Sequence, residues 1–318
     1  MKTRPTWFLP AAFAVLACSF CLGWEFKSPH APVADVVVSV ADEAGNAVSN
    51  ADVSVWFEYF TSPDNVEIRG KSDSRGFFAA THRAQGGGVF VSAGKEGHYS
   101  ARDSLLARDF PDKKEEFEKA FARDKWSEKP VRLDIVLKRV LEPKRLTLHS
   151  VDPKPFPVVG KPFSLDLETL EWCPPYGQGK HADATMVFES WKDPEHRLSF
   201  MRKLTVSMPN AADGFYVAKL DSRSDFPYAY RADTNAAYRK EGVLLFDRRE
   251  DRIVEQRFPA DDEYLIFRTR TETNSEGRVT SAHYGRVGEK PSHLFGLKAA
   301  VWFNPDENDT NLEDGWHE

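Results

Sequence analysis

Hydrophobic and polar positions change places in short runs along most of the chain. Residues 34–40 read ADVVVSV and residues 51–60 read ADVSVWFEYF, two apolar, β-branched stretches divided by the turn-forming DEAGNAVSN at 42–50. Runs of this length bounded by Gly, Asn, Asp and Ser are how short antiparallel strands are punctuated. In the second stretch Val53, Val55, Phe57 and Tyr59 alternate with Ser54, Trp56 and Glu58. Large apolar groups therefore stand on both faces, and the strand is expected to be covered on more than one side. An Asp73-Ser74-Arg75-Gly76 turn then feeds Phe77 and Phe78, VFVSAGKEGHYSA follows at 89–101, and Val131 to Leu137 reads as the last strand of this half.

Between those last two strands lies ARDFPDKKEEFEKAFARDKWSEKP. Phe110, Phe117, Ala120 and Phe121 fall near helical spacing among Glu and Lys, which are good helix formers. The pattern predicts a short helix from about Pro111 to Arg123, either an edge cover with its charges in water or a partner-binding helix.

A break follows at Val140 to Lys144, and the proline-rich SVDPKPFPVVGKPF begins a second unit. Proline cannot donate to a sheet ladder, so these residues mark loop or edge strand. Beyond them the pattern is again that of strands: Phe163–Leu167, Ala184–Glu189, Leu204–Ser207, Gly214–Leu220, Val243–Phe246 and Ile253–Phe258. A hairpin runs from Glu263–Thr273 through Asn274-Ser275-Glu276-Gly277 to Arg278–Val287, and Leu297–Phe303 closes the series. The expected fold class is all-β: an N-terminal β-sandwich with a short helical insertion, then a second β-rich, sandwich-like domain. The corresponding segments are a leader at 1–23, a tether at 24–32, the sandwich at 33–139, the β-rich domain at 145–305 and an acidic tail at 306–318.

The first half resembles the carboxypeptidase regulatory-like domain, a small β-sandwich related to transthyretin. The resemblance is carried by Asp42-Glu43-Ala44-Gly45-Asn46-Ala47-Val48-Ser49-Asn50-Ala51-Asp52-Val53, by Ser72-Asp73-Ser74-Arg75-Gly76-Phe77, and by Phe90-Val91-Ser92-Ala93-Gly94-Lys95-Glu96-Gly97-His98-Tyr99. It spans about residues 33–139, and the insertion before the last strand departs from the family pattern. Despite their name such modules are not catalytic, so the resemblance implies packing or adhesion. The second half is similar to largely uncharacterised regions that follow such sandwiches in bacterial envelope proteins. Trp172-Cys173-Pro174-Pro175-Tyr176-Gly177-Gln178-Gly179-Lys180-His181-Ala182-Asp183 and the ending from Asn304 to Glu313 carry that likeness, which implies no known activity.

Charge and cysteine usage bear on location and partners. Lys2 and Arg4 precede the apolar run WFLPAAFAVLACSFCLGW, which is short for a membrane span of ~20 residues and reads as an export leader. Cys18 after Val15-Leu16-Ala17 resembles a lipobox, in which the cysteine becomes the acylated first residue of a bacterial lipoprotein; ordinary cleavage near Gly23 and an uncleaved anchor are the alternatives. Loss of Lys2 and Arg4 with the leader takes the formal charge from −6 to −8, which argues against a nucleic-acid partner. Outside the leader only Cys173 remains, so no intrachain disulfide is available there. With 41% hydrophobic and 13% aromatic residues over 318 positions, the chain has the material for more than one core.

The chemistry is sparse. There is no G-x-S-x-G, no H-E-x-x-H, no P-loop and no H-x-x-E pair of the zinc carboxypeptidases. Ser92-Ala93-Gly94-Lys95 matches S-x-x-K without its companion motifs and lies in a strand of the sandwich. Residues 172–183 hold the densest set of capable groups, and Trp172, Tyr176, His181 and Asp183 are the candidate ligand-binding residues: rings beside polar groups suit stacking on a sugar or peptide. The same Pro-Pro-Tyr-Gly is also a good structural turn with a tyrosine packed over it. The tail from Asp306 to Asp314 is rich in oxygen ligands but lacks the spacing of an EF-hand, and a solvated acidic end is expected. No catalytic residue, metal ligand or cofactor is assigned. The reading is an exported, non-enzymatic envelope protein with a glycan or protein partner and membrane contact only through its leader or lipid. The alternative is a secreted enzyme acting on glycan or peptide, with its site in the C-terminal domain.

Overall fold

The computed structural model describes residues 32–59, 65–84, 86–106, 124–288 and 291–315. They form two compact units. Within the described residues the first comprises 32–41, 47–93 and 102–135, and the second takes in Asp42–Asn46, Gly94–Ala101 and the chain from Val136 onward.

The first unit is built from β1 (Val33–Asp42), β2 (Asp52–Tyr59), β3 (Val66–Lys71), β4 (Phe77–Arg83), β5 (Gly86–Gly94), β6 (Ala101–Leu106) and β7 (Val131–Leu137). They make a three-stranded sheet in the order β4-β1-β7 and a four-stranded sheet in the order β3-β2-β5-β6. Alternation along β1 buries Ala34, Val36, Val38 and Val40, while Val53, Val55, Phe57, Val89 and Val91 are buried on the other sheet. The Asp73 turn works as its residue types require. Asp73 Oδ1 accepts the amides of Arg75 and Phe77 at 2.9 and 2.8 Å, and Gly76 sits at φ +81°, where a Cβ would meet the Val40 carbonyl at 2.4 Å.

One part of the expected fold class is corrected. Among the described residues every regular element is a strand, so the described fold is all-β with sandwich-like sheets, and the expected helical insertion is not supported. The stretch from Pro111 to Arg123 lies outside the described residues.

The second unit contains β8 (Thr147–Lys154), β9 (Pro162–Asp166), β10 (Glu171–Trp172), β11 (Ala184–Lys192), β12 (Phe200–Ser207), β13 (Gly214–Lys219), β14 (Glu241–Arg248), β15 (Ile253–Gln256), β16 (Glu263–Thr273), β17 (Val279–Val287) and β18 (Leu297–Phe303). A six-stranded sheet runs β10-β9-β11-β12-β14-β15 and a five-stranded sheet β13-β16-β17-β18-β8. One core joins them, with Phe163, Leu165, Met186, Leu204 and Leu244 from the first sheet against Phe215, Phe267, Val301 and Phe303 from the second. Pro153 lies on β8, at the edge of its sheet and beside a register shift against β18, where a missing N–H removes no central ladder bond.

The five-stranded sheet is covered on its other face as well. Tyr264, Ile266, Ala282 and Tyr284 pack with Ala232 and Leu312 in a second cluster. Residues 311–314 therefore belong to the fold, with Asn311, Leu312, Glu313 and Asp314 buried, whereas Asp306 and Glu307 of the expected solvated acidic tail are exposed. The physical reason is that the buried acids have dedicated donors. Glu313 accepts the Tyr99 hydroxyl at 2.8 Å and the amides of Leu141 and Glu142 at 2.9 and 2.7 Å, while Asn304 bonds the carbonyls of Asp309 and Asn311.

Candidate functional site

The four candidate residues of the 172–183 loop do not converge. Trp172 and Asp183 are buried at 5% and 3% exposure, whereas Tyr176 at 38% and the His181 side chain at 49% reach the surface. Trp172 sits edge-on to Phe163 at 5.1 Å, with Phe156 at 6.4 Å and the Lys154 ammonium 5.5 Å from its ring. The loop folds back on its own backbone: the Gly179 amide donates to the Trp172 carbonyl at 2.9 Å, and a Cβ at Gly177 would lie 2.2 Å from that carbonyl oxygen. Cys173 is buried, its thiol pointing at the His181 carbonyl at 3.2 Å rather than at the imidazole. Burial, then the charges of Asp166 and Asp183, push that thiol's pKa up, so it is not an activated nucleophile.

The chemistry of this region converges on a residue that the sequence reading passed over, Arg270. The hairpin strand β16 carries one extra residue against β17: Thr269 faces His283 and Glu272 faces Ser281, so two residues, Arg270 and Thr271, oppose Ala282 alone. The bulge holds Arg270 at φ +52°, and bulges of this kind re-aim a side chain. The guanidinium bonds Asp183 through Nε and Nη2, both at 3.0 Å, Glu168 through Nη1 at 2.7 Å and Asp166 through Nη2 at 3.3 Å, and it lies 4.9 Å from the Phe303 ring. Asp213 braces the bulge from behind by accepting the amides of Arg270 and Thr271 at 3.2 and 2.9 Å.

Each acid has further donors. Asp183 accepts the Leu167 amide and the Thr269 hydroxyl, both at 2.9 Å. Asp166 accepts the amides of Glu168, Lys180 and His181 at 3.0, 2.9 and 3.2 Å. Burial disfavours the Asp166 anion, yet the amides of Lys180, His181 and Glu168 together with Arg270 outweigh it and hold the carboxyl below its ordinary value. Burial likewise opposes the Arg270 charge, but Asp183 and Glu168 more than compensate and raise its pKa.

Asp166, Glu168 and His181 present potential ligand atoms within 4.8 Å of one another. Oxygens of both acids are directed at Arg270, which supplies the positive charge that a cation would bring, and His181 Nδ1 is 3.7 Å from Asp166 Oδ2. The donor set is thus committed within the chain. The sequence did hold one signal for this site: D-x-E at 166–168 and Asp183 stand in a strand-and-turn region that otherwise packs inward, and a buried acid needs a partner.

A second charged centre escaped the sequence reading. Arg286 on β17 is 1% exposed, its Cζ 3.9 Å from the Tyr228 ring and 4.5 Å from that of Trp302, while Nη1 donates to the Leu312 carbonyl and Nη2 to Asp314. Burial lowers its pKa, with Asp314 opposing. Arg286 pins the segment from Leu312 to Asp314 to the five-stranded sheet.

No family model matches the chain, and no curated protein matches it. Among solved structures, 3-chlorocatechol 1,2-dioxygenase from Rhodococcus opacus 1CP aligns over 34% of this chain and 61% of its own, at 12% identity and a TM-score of 0.24, so this chain spans about three fifths of that protein's length. A DUF3823 family protein from Parabacteroides merdae ATCC 43184 covers most of the chain, 89% of it and 99% of its own, at 10% identity and a TM-score of 0.19. TM-scores this low establish no shared fold, and neither neighbour's chemistry transfers to this chain.

Proposed function

We propose that this chain is an exported, non-enzymatic protein of the bacterial envelope with a structural or binding role. The observation that carries the reading is the engagement of Asp166, Glu168 and Asp183 by the single guanidinium of Arg270. Hydrolysis of a glycan needs one carboxyl kept protonated as an acid and a second free as base or nucleophile. Here Asp166 is held below its ordinary carboxyl range, and Asp166, Glu168 and Asp183 are all spent on Arg270, with Asp166 and Asp183 also taking backbone amides, which is the use a fold makes of them. The resemblance of residues 33–139 to a non-catalytic carboxypeptidase regulatory-like module agrees with this role. Of the four loop candidates, Tyr176 and His181 are the two that face outward, and they are the groups through which the loop would touch a glycan or protein partner.

Export follows from the charged start, the short apolar run and Cys18, so the chain made in a bacterial host should lose its leader and begin at Cys18, with the added mass of the lipid, or a few residues beyond. Intact-mass measurement of the membrane and periplasmic fractions checks this. Recovery of a chain that still starts at Met1 and partitions with the cytoplasm would remove the envelope assignment.

A further inference from the structure

The interior of the second unit is not completely filled. Between its two sheets lies a cavity of about 90 Å³, walled by side chains such as Leu165, Met186, Leu204, Leu244, Phe215 and Val301. Protein interiors are packed like organic crystals, with few voids larger than a water molecule. A water needs roughly 10–15 Å³ measured this way and two to four polar partners. The cavity has the room for water and lacks the partners, so the favourable occupant is an apolar group.

The cavity does not end blindly. Leu244, Pro291 and Ser292 line it and also line an adjoining hollow of about 220 Å³. That second space is polar on one side, where Glu255, Arg257 and Asp261 stand beside His293. Arg257 is already bonded to Glu255 at 2.6 Å and to Asp261, and the buried His293 uses Nε2 on the Arg202 carbonyl at 3.1 Å. Two carboxylates against one guanidinium leave the hollow with an excess of negative charge, which repels an anionic head and accepts a neutral or cationic one.

We propose that cavity and hollow form one binding site for a small amphiphile, with a slim apolar group, a short alkyl chain or a single ring, between the sheets and an uncharged or amine head beside Glu255 and Asp261. This gives chemical content to the binding role proposed above. Neither Arg270 nor the acids it holds line the cavity or the hollow, but Leu167 and Ala184 in the wall are chain neighbours of Glu168 and Asp183. Ligand binding is therefore read by methyl shifts and the Arg270 cluster by urea stability, two measurements that can fail separately.

The test is titration of the full chain with 1-hexanol, hexylamine and hexanoate, followed by methyl NMR with assigned Met186, Leu204 and Val301 signals. Saturable shifts of those methyls with hexanol and hexylamine are expected, and hexanoate should bind at least tenfold more weakly. Ala184→Leu, which extends a side chain into the cavity wall, should abolish the shifts; Ala299→Leu serves the same end should the first variant not fold. No saturable shift with hexanol or hexylamine would overturn the site. Shifts that persist in a folded filled variant would place the ligand elsewhere, and equal binding of hexanoate would overturn the assigned head. None of these results bears on the role of Arg270, which is decided by stability.

Discussion

Arg270→Ala should destabilise the second unit by about 3–5 kcal/mol, the usual consequence of removing one partner from a buried ion pair. The side chains of Asp166 and Asp183 are 1% and 2% exposed, and without the guanidinium both charges stay buried with no cation against them. Asp183 should suffer more, because two of its bonds go to Arg270, whereas Asp166 keeps its backbone donors. Arg270→Lys should recover little, since an ammonium cannot span three carboxylates as the planar fork does. Urea denaturation of the full chain, read through the tryptophans, measures the loss. An unchanged or increased stability would mean that the acids are held together at a cost to the fold, as functional groups often are, and would restore the enzyme reading.

Trp172→Ala should cost a comparable amount, about 3–5 kcal/mol, because a large buried aromatic leaves a cavity that its neighbours fill only in part. Phe156, Phe163 and the Lys154 ammonium all lose their contact with the ring. Tyr176→Ala, four residues further on, removes a ring that is 38% exposed and should stay within about 0.5 kcal/mol of the parent. Thermal unfolding of the two single variants separates the two roles proposed for the loop. A melting temperature unmoved by Trp172→Ala would return the indole to the set of ligand-contacting groups, and a large drop from Tyr176→Ala would withdraw the tyrosine from it.

Much of the strand pattern was legible because period-two alternation and turn residues are local signals. Val131–Leu137, Glu263–Thr273 and Leu297–Phe303 are strands with the bounds that the pattern predicts. β3 and β10 were missed: VEIRGK alternates exposed and half-buried positions without a strong apolar face, and β10 is two residues long. β8 was obscured by Pro153, which an edge strand tolerates. The candidate site was legible only in part, for a reason rooted in long-range geometry. Asp183 could be picked out from the loop, but its partner Arg270 is 87 residues away and is turned inward by a bulge that no local pattern announces. The same holds for Arg286 and Asp314, and for Glu313, whose donors at Tyr99, Leu141 and Glu142 no local pattern announces.

Asp166 offers the most direct test of the claim that these acids serve the fold. Its carboxyl is held below the ordinary value of 3.8, so its stabilising contribution is fully present above that pH and is lost as the pH falls through the lower, folded-state value. The measurement is the side-chain carboxyl ¹³C shift of Asp166 followed by NMR from pH 7 downward. The account predicts a flat response to below pH 3.8, ending in acid unfolding of the second unit. A titration midpoint of about 5 to 7 would mark a poised general acid and would contradict it.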